Sequence, residues 1–451
     1  MQTNTLVTEA IQEPKPFTGR FIGISHRIKQ KKDQTARPTL VTIMEQDGAV
    51  QNFKLEAEQD ELDFANSQCA VKWEPVKFDQ DISALLAHQV IFRAATDEDA
   101  LVERHESQCR YEIKKGKKDS PDTKTLIEVA TDIPCAWVGI QQHDTVSMVL
   151  GGSGDYFAFA LSRKLSKMNG TLMRIPSFKL KDLRGQGEKD NDAHLLATLV
   201  SQTRDEFYET QVRDQGIIRL RNEYRVWMDT MRARIGCEQR LFQRHIGLTF
   251  CTEDGHFPEG SITKEFEKRK ANDAVFQALL AEEKSAEKNL ERAVQDLDVW
   301  KNVFEPIRGI GPKIAARMIT AIIDIRRFET SAKLVKFMGV HVLADGRFPR
   351  RRNGEVANWH PDGRQALFLF GDQLVRQRDT TEWGTYLIAQ KEKFRQKHPN
   401  IEVNIESGKK RYTKGHIHKM AIWRTLTRFT IRLHKDWSKL EKSAKQAGSQ
   451  E

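Results

Sequence analysis

The chain has 451 residues, 39% hydrophobic and 30% charged, with a mean hydropathy of −0.61. That length suits two or three domains, and the apolar fraction is enough for sizeable cores. There is no apolar run of the roughly 18 residues that a membrane helix needs, and residues 1–16 have neither the basic start nor the apolar core of a secretory signal, so a cytoplasmic protein with no membrane contact is expected.

Charge and cysteine usage narrow the class further. The net charge is +10, and residues 301–451 hold 31 Lys and Arg against 15 Asp and Glu, a net +16. The first 300 residues hold 42 against 48, a net −6. A basic excess confined to the last third predicts a polyanion partner that docks there. The five cysteines, Cys69, Cys109, Cys135, Cys237 and Cys251, are odd in number and form no CxxC pair. They read as reduced, buried thiols rather than a disulfide framework or a zinc site. The histidines form no HxxxH or HExxH pattern, and His416 and His418 are poorly spaced for ligands on one helix face.

Residues 1–17 read as a loose tail. Short apolar runs at 21–24 and 40–44, then alternation over 49–55, predict an antiparallel meander. Residues 56–135 mix helical and strand signals around a charged loop at 114–121. The pattern then sharpens into a strand over 145–150, a glycine turn over 151–156, an amphipathic helix over 157–168 and a strand over 171–176. This strand–helix–strand unit marks an α/β domain. A helix carrying Ala193, Leu195, Leu196, Leu199 and Val200 follows.

Residues 206–305 read as long helices. Ile217, Leu220, Tyr224, Trp227, Met231 and Ile235 recur at helical steps, as do Phe276, Leu279, Leu290, Ala293, Leu297, Trp300 and Phe304. A loop near 254–258 joins them into an antiparallel coiled-coil arm. These stripes are assigned to packing and to no chemistry.

Beyond the arm, Arg308-Gly309-Ile310-Gly311-Pro312-Lys313, continuing to Arg317, has the pattern of a helix-hairpin-helix element. Its glycines permit a tight turn into a helix whose first N–H groups can hold a phosphate, with Lys313 as a mobile charge and Arg326 and Arg327 nearby. Arg347, Arg350, Arg351 and Arg352 form a basic loop, followed by Trp359 and His360 as candidate base-stacking rings. A second basic and aromatic segment carries Lys409, Lys410, Arg411, Lys414, His416, His418 and Lys419, and leads into an amphipathic helix over 420–437.

The stretch from Gly309-Ile310-Gly311-Pro312-Lys313 to Phe328, with Ser331-Ala332-Lys333-Leu334 and Phe337-Met338-Gly339-Val340, resembles the C-terminal domain of the bridge-RNA-guided Piv/MooV-like recombinases. That domain is similar to the Nop domain of box C/D ribonucleoproteins, and the combination resembles the TIGR-Tas proteins. Residues 147–197 resemble the second half of the RuvC-like domain of those families, and the arm lies where they carry a coiled coil. The resemblance implies an α+β multidomain protein: a tail over 1–17, a RuvC/RNase H-like α/β domain over 18–205, a coiled-coil arm over 206–305, and an all-α, helix-hairpin-helix/Nop-like domain over 306–451.

RuvC-like nucleases arrange several acids around two metal ions. Where the family's first strand ends Gly-Ile-Asp, this chain has Gly23-Ile24-Ser25; where the family has a glutamate before the glycine turn, it has Gly151. In the family's Asp-x-x-Asp-Ala helix motif, Lys189 stands at the first acid and Asp192 at the second, with Glu188 as a candidate substitute. Asp345 falls near the recombinases' serine. The resemblance therefore implies a protein that binds a guide RNA and target DNA without cutting, as a homodimer, in a prokaryotic cell or encoded by a phage or mobile element. No cofactor is expected. The alternative is a diverged transposase, recombinase or RuvC-type nuclease using Mg2+, with Asp144, Asp155, Glu188, Asp190 and Asp192 as its candidate acids.

Overall fold

A computed structural model describes residues 19–27, 36–66, 73–83, 90–96, 104–108, 132–137, 140–251, 261–343, 348–350, 357–403 and 410–447. The chain divides into two compact units, residues 1–211 and 212–451. Together they make an α+β multidomain protein.

The first unit is built on a mixed sheet. Its strands are β1 (Phe21–Ser25), β2 (Thr39–Met44) and β3 (Val50–Leu55), then, after helix α1 (Glu58–Asn66), the short β4 (Trp73–Pro75), β5 (Val90–Ala94) and β6 (Asp132–Trp137). There follow β7 (Thr145–Leu150), α2 (Asp155–Lys167), β8 (Thr171–Pro176), α3 (Ser177–Arg184), α4 (Asp192–Gln202) and β9 (Tyr208–Glu209). The main sheet has the order β3-β2-β1-β7-β8-β9. The first three strands are an antiparallel meander, β7 and β8 run parallel to β1, and β9 returns antiparallel. The meander and the strand–helix–strand unit are where the sequence pattern puts them. Residues 56–135, ambiguous in sequence, contribute α1 and the strands of a separate antiparallel sheet of order β4-β6-β5. The charged loop at 114–121 lies outside the described residues.

One glycine fixes how α4 meets the sheet. A Cβ on Gly23 would sit 1.9 Å from the Ala193 carbonyl oxygen and 2.5 Å from the Ala197 nitrogen. Only a residue without a side chain allows the helix backbone to lie directly on β1. This contact brings the start of α4 to the carboxyl end of β1.

The second unit is mainly helical: α5 (Val212–Phe250), α6 (Ile262–Ala271), α7 (Ala274–Gln295), α8 (Pro312–Ile322), α9 (Ser331–Phe337), α10 (Pro361–Gln377), α11 (Glu382–Lys397) and, after the two-stranded ribbon β10 (Glu402–Val403) and β11 (Lys410–Arg411), α12 (Lys414–Ala447). The returning limb of the arm is two helices rather than one. Asp273 caps α7 by accepting a hydrogen bond from the Phe276 amide at 2.8 Å, which restarts the helix after Asn272. The loop at 254–258 lies outside the described residues.

The stripe on α5 is covered within the same chain. Leu220, Tyr224 and Trp227 join Leu290, Val294, Trp300 and Phe304 in a core that continues through Met318, Ile319, Phe370, Phe429 and Trp437. Arm and C-terminal helices thus share one core, and no break falls between residues 305 and 306. Ile235, placed on the stripe from its spacing, is 37% exposed. Of the thiols, Cys135 and Cys237 are buried as expected, but Cys251 is exposed just past α5. Among the described residues, no helix is long and apolar enough to cross a membrane.

Candidate nucleic-acid interface

Two places carry the residues that the sequence singles out. The first is the carboxyl end of the central strands in the 1–211 unit. Ser25 ends β1, the glycine turn follows β7, and Asp192 opens α4. The turn is tied to the end of β1 by a 3.0 Å hydrogen bond between His26 Nδ1 and Ser153 Oγ. His26 Nε2 lies 3.4 Å from Glu61 Oε1, which also faces Arg27 Nε at 3.6 Å and accepts a hydrogen bond from the Thr39 hydroxyl. Burial pushes the Glu61 carboxyl up, but the hydrogen bonds from His26 and Thr39, with the charge of Arg27, hold it below the usual carboxylate range.

Four of the five candidate acids have an arginine as partner. Asp192 Oδ1 is 3.2 Å from Arg184 Nε, and Asp190 pairs with Arg37. Asp155, at the start of α2, is 1% exposed and receives Arg174 Nη2 at 2.6 Å; the same nitrogen donates to the Val149 carbonyl at 3.0 Å. Asp144 precedes β7, at the opposite end of the sheet. It accepts from Arg20 Nη2 at 2.8 Å and Nε at 3.1 Å, and from the Gln141 amide at 2.7 Å. Burial raises the pKa of Asp192 despite Arg184 and Lys189. Glu188 is exposed, as is Lys189. Among the described residues no group of three or more His, Cys, Asp and Glu side chains converges as a metal site would.

The second place is the 212–451 unit, where the structure sorts the predicted contacts into exposed and internal. Gly309 adopts φ +101°, a left-handed turn, and Gly311 is the N-cap of α8 with Pro312 in its first turn. Arg308, Gly309, Gly311, Lys313 and Gln373 line an open depression of about 430 Å³. Arg308 is exposed there. Lys313 is less mobile than expected, because its Nζ lies 2.7 Å from Glu287 Oε1.

Arg317 corrects the sequence reading. It is 5% exposed, stacked over the rings of Trp227 (5.2 Å) and Tyr224 (5.7 Å), and donates to the Tyr224 hydroxyl and Gln365 Oε1 at 3.3 Å each. Arg326 is held by Asp324 at 2.7 Å, and Arg327 lies over Phe328 and Phe337 at 5.2 Å each. Trp359 and His360 are also engaged internally. The Trp359 ring packs on Gly339 and under Arg364. His360 caps α10, accepting from the Gly363 amide at 3.3 Å, and stacks 5.2 Å from Phe337. Burial lowers its pKa.

The remaining basic residues do gather. Arg350, Arg411, His398 and Lys419 are all close enough to His416 to add to burial in lowering its pKa. Tyr412 stacks on His398 at 3.8 Å and 5°, and on His416 at 5.7 Å and 16°. His418, close to Lys391, is lowered by burial and by that charge. Arg350, Lys410, Lys414 and Lys419 are exposed. The result is a basic cluster around a three-ring stack. His398 belongs to it through folding alone, and no spacing pointed to it. Arg347, Arg351, Arg352, Asp345 and Lys409 lie outside the described residues.

Fold and charge define an α+β multidomain protein whose helical C-terminal unit gathers exposed cations around aromatic rings. Residues 301–352 match the family model described as Transposase IS116/IS110/IS902 family. Over that segment, which spans the glycine turn, α8, α9 and the start of the arginine loop, the chain is similar to transposases of that family. No curated protein matches the chain.

Proposed function

We propose that this protein is a transposase-like nucleic-acid-binding protein that grips its target without cutting it. The observation that carries this reading is the pairing of Asp144, Asp155, Asp190 and Asp192 with Arg20, Arg174, Arg37 and Arg184. A carboxylate neutralised by a guanidinium is a poor ligand for a hard cation, and Ser25 and Gly151 offer no carboxylate in its place. At the carboxyl end of the central strands, Asp155, Asp190 and Asp192 are each held by an arginine, so the residues there do not fit a two-metal centre. The sheet order, with a three-stranded meander followed by parallel strands and a helix crossing the first strand, supports reading the unit as a degenerate RuvC/RNase H-like domain. The basic cluster around His416 supports binding in the other unit.

The resemblance to RNA-guided recombinases and TIGR-Tas proteins makes a guide RNA paired to target DNA the natural ligand. It also carries the proposal of a Nop-like C-terminal domain and of a homodimer; the arm's apolar stripe, covered within the chain, adds no support for the dimer. Sequencing the nucleic acid that co-purifies with the chain tests the reading. One discrete RNA species supports it; a chain free of RNA that binds DNA alone refutes the guided part.

A second reading is favoured by the family match: an active transposase or recombinase. It requires carboxylates released from their arginines when nucleic acid binds, and so predicts metal-dependent strand breakage.

A further inference from the structure

Arg364, on the first turns of α10, covers the Trp359 ring but is not part of the basic cluster around His416. Its guanidinium carbon lies 4.5 Å from the centre of the Trp359 ring and 4.8 Å from that of Trp423, an arginine held between two indoles. Stacking of this kind fixes the plane of the guanidinium and leaves only its edge for hydrogen bonds. Among the described residues one corner of that edge is unanswered: Arg364 Nη1 is buried and has no hydrogen-bond partner. The same is true of His341 Nδ1, just beyond α9. Lys336 and Arg364 both act on His341, adding to burial in lowering its pKa, and burial alone lowers that of Arg364. Among the described residues, no carboxylate acts on His341 or Arg364. The neighbourhood is aromatic, with Phe348 6.0 Å from Trp423 and only two residues from Arg350.

A buried donor without an acceptor is costly, and a fixed guanidinium edge matches two oxygens of one tetrahedral anion. We infer that Arg364, with His341, forms a site for one backbone phosphate of a nucleic-acid strand. This inference rests on the nucleic-acid-binding reading and adds to it a specific phosphate, held from within an aromatic frame rather than by surface lysines. The frame explains why Trp359 is internal: its ring supports the arginine.

The test uses the full chain and a fluorescein-labelled single-stranded oligonucleotide, with the dissociation constant followed across a salt series. Arg364→Met keeps the apolar stem and removes the edge. It is expected to weaken binding about tenfold and to flatten the log–log salt slope by about 0.7, the value for one single-strand phosphate. Arg364→Lys, which keeps the charge without the fork, should keep most of the slope and lose affinity. A folded Arg364→Met protein with wild-type affinity and slope overturns the site. Should that variant fail to unfold cooperatively, His341→Ala decides instead: weaker binding supports the site and unchanged binding overturns it. A competition arm separates the sources of phosphate. Displacement of the oligonucleotide by inorganic phosphate at low concentration would show a free-anion site and overturn the strand phosphate. A wild-type chain that binds no oligonucleotide refutes the nucleic-acid reading itself, a different outcome from a silent Arg364 variant.

Discussion

The two units use arginine in opposite ways. In residues 1–211, Arg20 and Arg174 are almost wholly buried against Asp144 and Asp155, and Arg184 is largely covered against Asp192. There the guanidinium is the counter-ion of a carboxylate within the same unit. In residues 212–451, Arg308 and Arg350 are exposed, and Arg411 lies with Arg350 and Lys419 in the cluster around His416. The same side chain thus serves as an internal counter-ion in one unit and as an offered charge in the other. Sequence position within a basic run does not separate the two roles. Arg317 and Arg326 sit in the basic unit, yet Arg317 is buried and Arg326, though partly exposed, is paired with Asp324.

The sharpest way to break this comparison is to strand a buried acid. Arg174→Met leaves the Asp155 carboxylate without its ion partner at 1% exposure. The cost is about 3–5 kcal/mol, read as a lower denaturation midpoint, with nucleic-acid binding unchanged once the protein is folded. In the other unit the expectation is reversed. Changing Arg350, Arg351 and Arg352 together to alanine should leave the midpoint nearly unchanged and flatten the salt slope by about two to three units, if each meets a phosphate. Loss of stability with an unchanged slope would instead make that loop an internal clasp.

Arg317→Met sharpens the comparison from within the basic unit. It removes the guanidinium's stacking on two rings and its three hydrogen bonds, so stability should fall by about 1–3 kcal/mol while the salt slope stays that of wild type. The smallest effect concerns pH. Glu61 has a folded-state pKa below its ordinary value, so its contribution to stability is present above the unfolded pKa and lost as pH falls through the folded one. Glu61→Gln should therefore reduce the acid dependence of stability on that limb and leave the neutral-to-alkaline range flat. A wild-type slope in the variant's acid titration would remove Glu61 from the account.

What was legible in the sequence follows from range. The 145–176 strand–helix–strand unit and the long α5 appear because apolar periodicity is a local signal. The break at Asn272-Asp273 was missed because a capping aspartate inside a charged helical run looks like one more solvated residue. The arginine clamps were not legible, since Arg20 meets Asp144 across 124 positions and Arg37 meets Asp190 across 153. Arg317 did leave a signal. It sits among Ala315, Ala316, Met318, Ile319 and Ile322 on a mainly apolar helix whose polar side carries only Lys313 and Thr320 besides it. Trp359 and His360 read as stacking rings from composition, but packing on the left-handed turn at Gly339 and the cap of α10 leave them only partly exposed.

The central claim is that the acid-bearing unit does not cut what the basic unit holds. It is tested most directly by incubating the full chain with its co-purified or added nucleic acid and Mg2+ or Mn2+, and following strand integrity alongside binding. The account predicts stable complexes with no new strand ends. Metal-dependent cleavage that disappears in Asp192→Ala would contradict it.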